Sequence, residues 1–457
     1  MSINDAVPRM RVGLALLAAL ALVALAGCGS SSNSSSSSAA ASASSSSSSA
    51  PAATSSSSAA ASASTDTSSC GPKPGVKATG SPIALGAINV KQPGTDFTDI
   101  SNMAAAYFTC VNNNGGVNGH PVKLYAVTDQ TNPSQIAADA KQLVQSDHVL
   151  GIAGTSDIIE CSINSAYWQK LGFKVIAAGI APECYSTPNY ADVNMGPRYS
   201  SDGAAQYVIA HGAKKIVFDQ SNVPGTSYNV GGVIAVAKAA NVPETSLTEN
   251  VPIQDANAVA IKEVDDAGSD GAVVLNFTPP EALVILQAAQ KLGLENRVKM
   301  WACSTPCNTD FLAKALGPKW EGHFFVNAEL TDVDVTNTPT VNLYKGILKQ
   351  YGSAVSGGIG SFSQMGFTIA EIATHALETV KGPYTVKSVN QAFENVKNYN
   401  TGMLCEPWTY GPYALHIANN VDYTVTPKNG QMVVAQGCTP ISAVDPGIAQ
   451  YRKAVGG

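Results

Sequence analysis

The sequence predicts an α/β protein built of parallel βαβ units in two domains, and three observations lead there. Residues 112–144, NNNGGVNGHPVKLYAVTDQTNPSQIAADAKQLV, pass from a helix end to a strand, a helix and the next strand with short connections. The same alternation lapses at residues 189–195 and begins again near residue 201. About 390 residues follow Cys70, more than one hydrophobic core usually supports.

In that first stretch each mark of punctuation has a backbone reason. Gly115-Gly116 can take the left-handed conformation that closes a helix, and Val117-Asn118-Gly119 has turn chemistry. Val122, Leu124 and Ala126 then alternate with polar partners as a strand. Asn132 is a good N-cap and Pro133 fits the first helical turn, after which Ile136, Ala140, Leu143 and Val144 follow at helical spacing.

The start of the chain sets its expected address. Arg9 and Arg11 precede an apolar run over residues 12–25, which has the length of a signal-peptide core and is short for a membrane span. Leu25-Ala26-Gly27-Cys28 closes it and is similar to a bacterial lipobox, which implies a signal peptide over residues 1–27 and a lipid on Cys28. Residues 29–69 are almost all Ser and Ala, with no large apolar side chain to offset the entropy of ordering, and read as a tether. As a coil such a stretch would span about 35 Å, enough to hold a folded body clear of a membrane.

Composition narrows the function classes. Only 13% of the residues are charged, the net charge is −6, and no Lys/Arg cluster follows the signal, so nucleic acid is not an expected partner. The eight remaining cysteines form an even set in an exported chain, which favours disulfides. Paired in chain order they would join Cys70 to Cys110, Cys161 to Cys184, Cys303 to Cys307 and Cys405 to Cys438. Cys303 and Cys307 have no second Cys or His pair at zinc spacing, so no metal is expected.

Along the chain, residues 83–90 read as a buried strand, and Asp96 or Thr98 as the cap of a helix through Met103, Ala106, Tyr107 and Cys110. Strands at 122–127, 149–153 and 175–178 alternate with helices at 133–145 and through Ile163 to Leu171, giving four strands. Past the lapse come helices at 201–211, 228–240, 256–267 and 280–292, with strands at 215–219, near 247–251, at 271–276 and at 298–302. Residues 324–330 look like another transition, helices are expected at 338–351 and 363–381, and hairpin-like turns at 410–412 and 428–430.

The run NNNGGVNGHPVKL with Asp129, Pro133 and Ala137, the phrase GIAGTSD, the strand end IAAGIAP and NFTPPEALVILQAAQKLGL together resemble the type I periplasmic-binding-protein fold. The resemblance is to the leucine/isoleucine/valine-binding receptors of ABC transporters. It implies two doubly wound parallel-sheet lobes joined by three crossovers. Lobe 1 would hold residues 81–195 plus 330–404, lobe 2 residues 196–329 plus 405–457, and residues 28–80 the lipidated cysteine and tether.

The physics of such a site agrees, since ligands of open α/β sheets sit beyond the carboxyl ends of the strands, near helix N-termini whose free N–H groups favour a carboxylate. Thr155 and Ser156 lie at such a place and by resemblance would hold a ligand carboxylate, with backbone contacts from Gly179, Ile180 and Ala181. Tyr228, Phe277 and Thr278 match second-lobe contact positions. Asp157 and Glu160 sit beside the proposed site, where carboxylates also suit a helix start.

No G-x-S-x-G, H-E-x-x-H, G-x-x-x-x-G-K-S/T or strand-following G-x-G-x-x-G occurs, so no catalytic residue and no cofactor is expected. The resemblance implies a lipid-anchored monomer on the extracytoplasmic face of a bacterial membrane, with a small-molecule ligand and an ABC permease as partners. A ligand sensor of the same fold and an exported enzyme are the alternatives. Where amino-acid receptors place an acid for the ligand ammonium, this chain reads Cys303-Ser304-Thr305-Pro306-Cys307. A buried ammonium needs a charged partner, so the expected ligand is a small carboxylate- or amide-bearing solute, with a hydrophobic amino acid second.

Overall fold

The first long helix, α1 (Thr98–Asn113), stops where Gly115 and Gly116 take φ of 104° and 64°, and a Cβ at Gly116 would run into the His120 carbonyl. That reversal feeds strand β3 (Val122–Asp129), and Asn132 then accepts the N–H groups of Ser134 and Gln135 to start α2 (Pro133–Gln145). The computed structural model describes residues 67–457 apart from residues 335, 412 and 457. The expected signal segment, Cys28 and residues 29–66 lie outside the described residues.

The first sheet holds β1 (Ile83–Gln92), β2 (Thr95–Asp96), β3, β4 (Gly151–Thr155), β5 (Val175–Ala177) and β6 (Tyr190–Asp192). From β3 through β1, β4 and β5 to β6 the pairs are parallel, and β2 folds back antiparallel on the last residues of β1. One face is covered by α1 with α10 (Pro339–Tyr351), α11 (Ser361–Glu378) and α12 (Val386–Glu394). On the other face lie α2, α3 (Glu160–Leu171) and the short α4 (Pro182–Ser186).

The second sheet runs β8 (Glu244–Glu249), β7 (Ile216–Ser221), β9 (Ala272–Asn276), β10 (Met300–Cys303), β11 (Phe324–Ala328), β12 (Val421–Lys428) and β13 (Gln431–Pro440). Its pairs are parallel from β8 to β11 and antiparallel through the β12–β13 hairpin. Helices α5 (Gly196–Ala210) and α6 (Val230–Ala239) cover one face, and α7 (Ala256–Ala267), α8 (Pro279–Lys291) and α9 (Asp310–Leu316) the other. A parallel sheet buried on both faces needs near-continuous apolar strands, which AVVLN in β9 and IVF in β7 supply.

Several elements differ from the sequence reading. The first sheet has six strands and not four, because β2 is two residues long and β6 is three, too short to show a period. Thr98 is not the cap of α1 but its first residue: Phe97 holds the N-cap position, and Asp96, two residues before Thr98, accepts from its N–H and hydroxyl. The stretch read as a transition at 324–330 opens with a full strand, β11. Residues around Tyr410-Gly411 are not a hairpin; Tyr399 and Trp408 make an isolated bridge, and Trp408 and Tyr410 are buried in the first lobe's core. The turn at Asn429-Gly430 is a hairpin, with φ of 53° and 77°. The last helix, α13 (Pro446–Val455), places Ile448 and Tyr451 in a cluster with Tyr185 and Tyr190 of the first lobe.

Four disulfides are present, Cys70–Cys110, Cys161–Cys184, Cys303–Cys307 and Cys405–Cys438, the pairs that chain order gives. Cys70–Cys110 pins the beginning of the described chain to the C-terminal half of α1, the end away from the loops described next.

Candidate functional site

Parallel strands that run the same way deliver their carboxyl-end loops to one edge, and the two sheets turn those edges toward each other. From the first lobe come Phe97 and Ile100 beside β1, Ile158 after β4, and Ala178 and Ile180 after β5. The second lobe brings Val223 after β7, Asn276 at the end of β9 with Phe277 and Thr278 following it, Pro306 after β10 and Glu329 after β11. With Phe362 and Met365 of α11 they enclose a chamber of about 80 Å³, mostly apolar in its walls.

Besides a backbone bridge between Thr309 and Gly360, two side-chain hydroxyls among the described residues bond from one lobe to the other beside this chamber. The Tyr228 hydroxyl donates to the Ile180 carbonyl at 2.7 Å. Thr278 occupies the N-cap position of α8 but makes no cap bond, and its hydroxyl donates instead to the Gly94 carbonyl at 3.1 Å.

The residues singled out in the sequence are distributed as follows. Ile180, Phe277 and Thr278 line the chamber, and Tyr228 latches over Ile180. Thr155 and Ser156 are buried beneath it: Thr155 Oγ1 donates to the Ile88 carbonyl at 2.7 Å and Ser156 Oγ to Asn89 Oδ1 at 2.6 Å. In this closed arrangement both hydroxyls tie β4 to β1, and the side chain their loop sends into the chamber is Ile158. Gly179 lies behind the wall, where a Cβ would collide with Cys184 and Asp192, and its carbonyl accepts from Asn194 Nδ2 at 2.8 Å. Ala181 is fully buried at the N-cap of α4.

The carboxylates have separate tasks. Asp157 accepts from the Ile159 N–H and so opens α3, while Glu160 accepts from Trp168 Nε1 and the Tyr190 hydroxyl, both at 2.7 Å, inside the core. Glu329, which sequence reasoning passed over as the end of a transition, is the one carboxyl among the described residues of the chamber wall. It accepts from the Met195 N–H at 2.9 Å, and burial pushes it up to about 8 against the hydrogen bonds from Met195 and Thr305 that would lower it. A hint was available: an acid directly after the apolar strand FFVNA stands where strand ends meet ligands.

The Cys303–Cys307 loop is held on all sides. Ser304 Oγ donates to Asn276 Oδ1 at 2.8 Å, the Thr305 N–H donates to Ser200 Oγ at 2.6 Å, and Thr305 Oγ1 donates to the Asn327 carbonyl at 3.0 Å. This fixes Pro306 against the chamber. Among the described residues no group of three or more His, Cys, Asp and Glu side chains could hold a metal ion. No described helix is long and apolar enough to cross a membrane.

Comparison with solved structures bears on the fold. A branched-chain amino acid ABC transporter protein from Thermus thermophilus with bound valine is 17% identical, with a TM-score of 0.71 over 82% of this chain and 99% of that one. A fatty acid ABC transporter substrate-binding protein from Thermomonospora curvata is 16% identical, with a TM-score of 0.69 over 82% of this chain and 97% of that one. A solute-binding protein from R. palustris in complex with 4-hydroxybenzoate is 15% identical, with a TM-score of 0.65 over 79% of this chain and 98% of that one. These likenesses establish the type I fold, and the second and third of these neighbours are described as substrate- or solute-binding proteins. No curated protein matches by sequence. The family model described as periplasmic binding protein matches residues 92–431, which takes in every strand of the two sheets except β1 and β13 and the loops around the chamber, and the chain therefore belongs to the periplasmic binding protein family, whose members act outside the cytoplasm.

Proposed function

We propose that this protein is a solute-binding lipoprotein, anchored by a lipid on Cys28, that closes its two lobes over a small solute and presents it to an ABC permease in the membrane. The observation that carries this reading is the chamber itself, whose walls come from carboxyl-end loops of both sheets and whose rim is bridged by Tyr228–Ile180 and Thr278–Gly94. A site shared between lobes couples binding to closure, since a solute touching both halves favours the closed state by its differential affinity. The chain passes between the lobes near residues 193–196, 328–331 and 418–420, where Asn419 Nδ2 donates to the Val193 and Glu329 carbonyls, and these passages act as hinges.

The solute is a small molecule with an apolar body and a carboxylate or amide head. A second reading, a hydrophobic amino acid, is favoured by Glu329, a carboxyl in the wall that would face an ammonium. Structural neighbours described with valine, a fatty acid or 4-hydroxybenzoate share an apolar body joined to a carboxylate, which supports the broader class. Native mass spectrometry of protein purified without denaturation tests the reading: a retained small molecule is expected, absent from a Val223→Trp variant whose indole fills the chamber. Retention of the same molecule by that variant would move the site elsewhere.

A further inference from the structure

The chamber does not end at its rim. A larger cavity of about 420 Å³ lies outside it, and the two share Thr95, Thr278 and Phe362 as common walls. This vestibule is bounded by the β1–β2 turn at Gln92 and Gly94, by the start of α8, by Phe311 of α9 and by the loop at Gly357-Gly358. Phe311 is among the most exposed large apolar side chains of the protein, 46% accessible, and it forms part of this wall.

Size separates the two spaces. A dry cavity that accepts benzene measures about 150 Å³, roughly twice the inner chamber, so a solute seated there in the closed state has to continue past Thr95, Thr278 and Phe362. Chemistry separates them as well. Among the described residues no Lys, Arg or His lines either cavity, while Asp96, Asp99 and Glu281 line the outer one. Two of those carboxylates are engaged: Asp96 with Lys91 at 2.8 Å, and Asp99 with the N–H groups of Ser356 and Gly357. Glu281 is buried and accepts from the Ile253 N–H through Oε2, whereas its Oε1 points to Gly94, 3.2 Å from where a Cβ would stand, and no hydrogen bond among the described residues reaches it. The vestibule thus presents an acceptor and no cation.

Building on the interlobe reading above, we infer that the vestibule is a second subsite, and that the solute, with its head group in the chamber, is elongated and carries a hydrogen-bond-donating outer end, an amine or hydroxyl, on Glu281. Such an occupant leaves Glu281 paired and places its middle methylenes against Phe362, where each buried methylene adds affinity.

Titration calorimetry with propanoate, hexanoate, 6-hydroxyhexanoate and 6-aminohexanoate tests this. Wild-type protein is expected to bind 6-aminohexanoate at least tenfold more tightly than propanoate, and hexanoate most weakly of the six-carbon probes. Gln92→Trp, which fills the vestibule and leaves the chamber untouched, should erase the gain from chain length, and Glu281→Gln should erase the preference of amine over alcohol. No gain with length, a gain that survives Gln92→Trp, or tighter binding of hexanoate than 6-aminohexanoate would each overturn the inference. A retained natural solute in native mass spectrometry combined with any of these results would overturn the second subsite alone and leave the interlobe reading in place.

Discussion

The Tyr228 hydroxyl, from the second lobe, donates at 2.7 Å to the carbonyl of Ile180, from the first. A bond between lobes exists only while they are closed, so it adds to closure what a single hydrogen bond adds, about 1 kcal/mol. Tyr228→Phe keeps the ring and removes the donor. Solute affinity is expected to fall about three- to tenfold, with a ligand-free scattering radius larger than that of wild type. An unchanged affinity and radius would show that the latch is a bystander.

Cys405–Cys438 closes a loop of 33 residues and Cys303–Cys307 one of 4. In the chain-entropy view these differ, at about 4 against about 2 kcal/mol of unfolded-state constraint. Removing the first pair by Cys405→Ala with Cys438→Ala should lower the thermal midpoint more than Cys303→Ala with Cys307→Ala. Only the second pair should change solute affinity, because Pro306 lies between its cysteines at the chamber wall. Denatured, unreduced wild-type protein should show no free thiol among the eight described cysteines.

Much of this arrangement is legible in the residues, and its limits are physical. The Gly115-Gly116 reversal and the Asn132-Pro133 helix start are local signals, written in φ preference and capping, and α1 ends and α2 begins where they place it. Alternating βαβ units point to the edge where ligands gather, and Ile180, Phe277 and Thr278 stand in that wall. What cannot be read locally is which way a loop side chain faces. Thr155 and Ser156 have the chemistry of carboxylate ligands, yet the same chemistry satisfies Ile88 and Asn89 across the adjacent strand, while apolar Ile158, which has the look of a core residue, faces the cavity. Glu329 and Phe362 are brought to the chamber by pairings and packings far apart in sequence, which a window of ten residues does not see.

The roles of Thr155 and Ser156 separate experimentally. If their hydroxyls serve chiefly to tie β4 to β1, Thr155→Val with Ser156→Ala leaves the Asn89 amide and the Ile88 backbone short of partners, at about 1–3 kcal/mol for each buried group. The ligand-free thermal midpoint should then drop by several degrees, while the stabilisation added by solute falls only modestly. A ligand-free midpoint equal to wild type together with abolished solute stabilisation would instead assign both hydroxyls to the ligand carboxylate.

Glu329 makes the chamber sensitive to pH in a direction that follows from its surroundings. Its carboxyl titrates near 8 in the folded protein against an ordinary value of 4.5, because burial penalises the charged form. The folded state therefore holds a proton that the unfolded chain has released between those values, so this group's contribution to stability is complete below 4.5 and is lost as pH rises through 8. Glu329→Gln keeps an acceptor for the Met195 N–H and cannot ionise, so the variant should be more stable than wild type at pH 8 and show a flatter decline from pH 5 to 8. The same group separates the two solute readings. At pH 7 the wild-type carboxyl is mainly protonated, so an ammonium seated against it would expel about one proton on binding, seen as a dependence of calorimetric enthalpy on buffer ionisation. A carboxylate- or amide-headed solute would leave the proton in place and accept a hydrogen bond from it. Binding of leucine with proton release, lost in Glu329→Gln, would establish the amino-acid reading; tight binding of an organic acid with no release would establish the other.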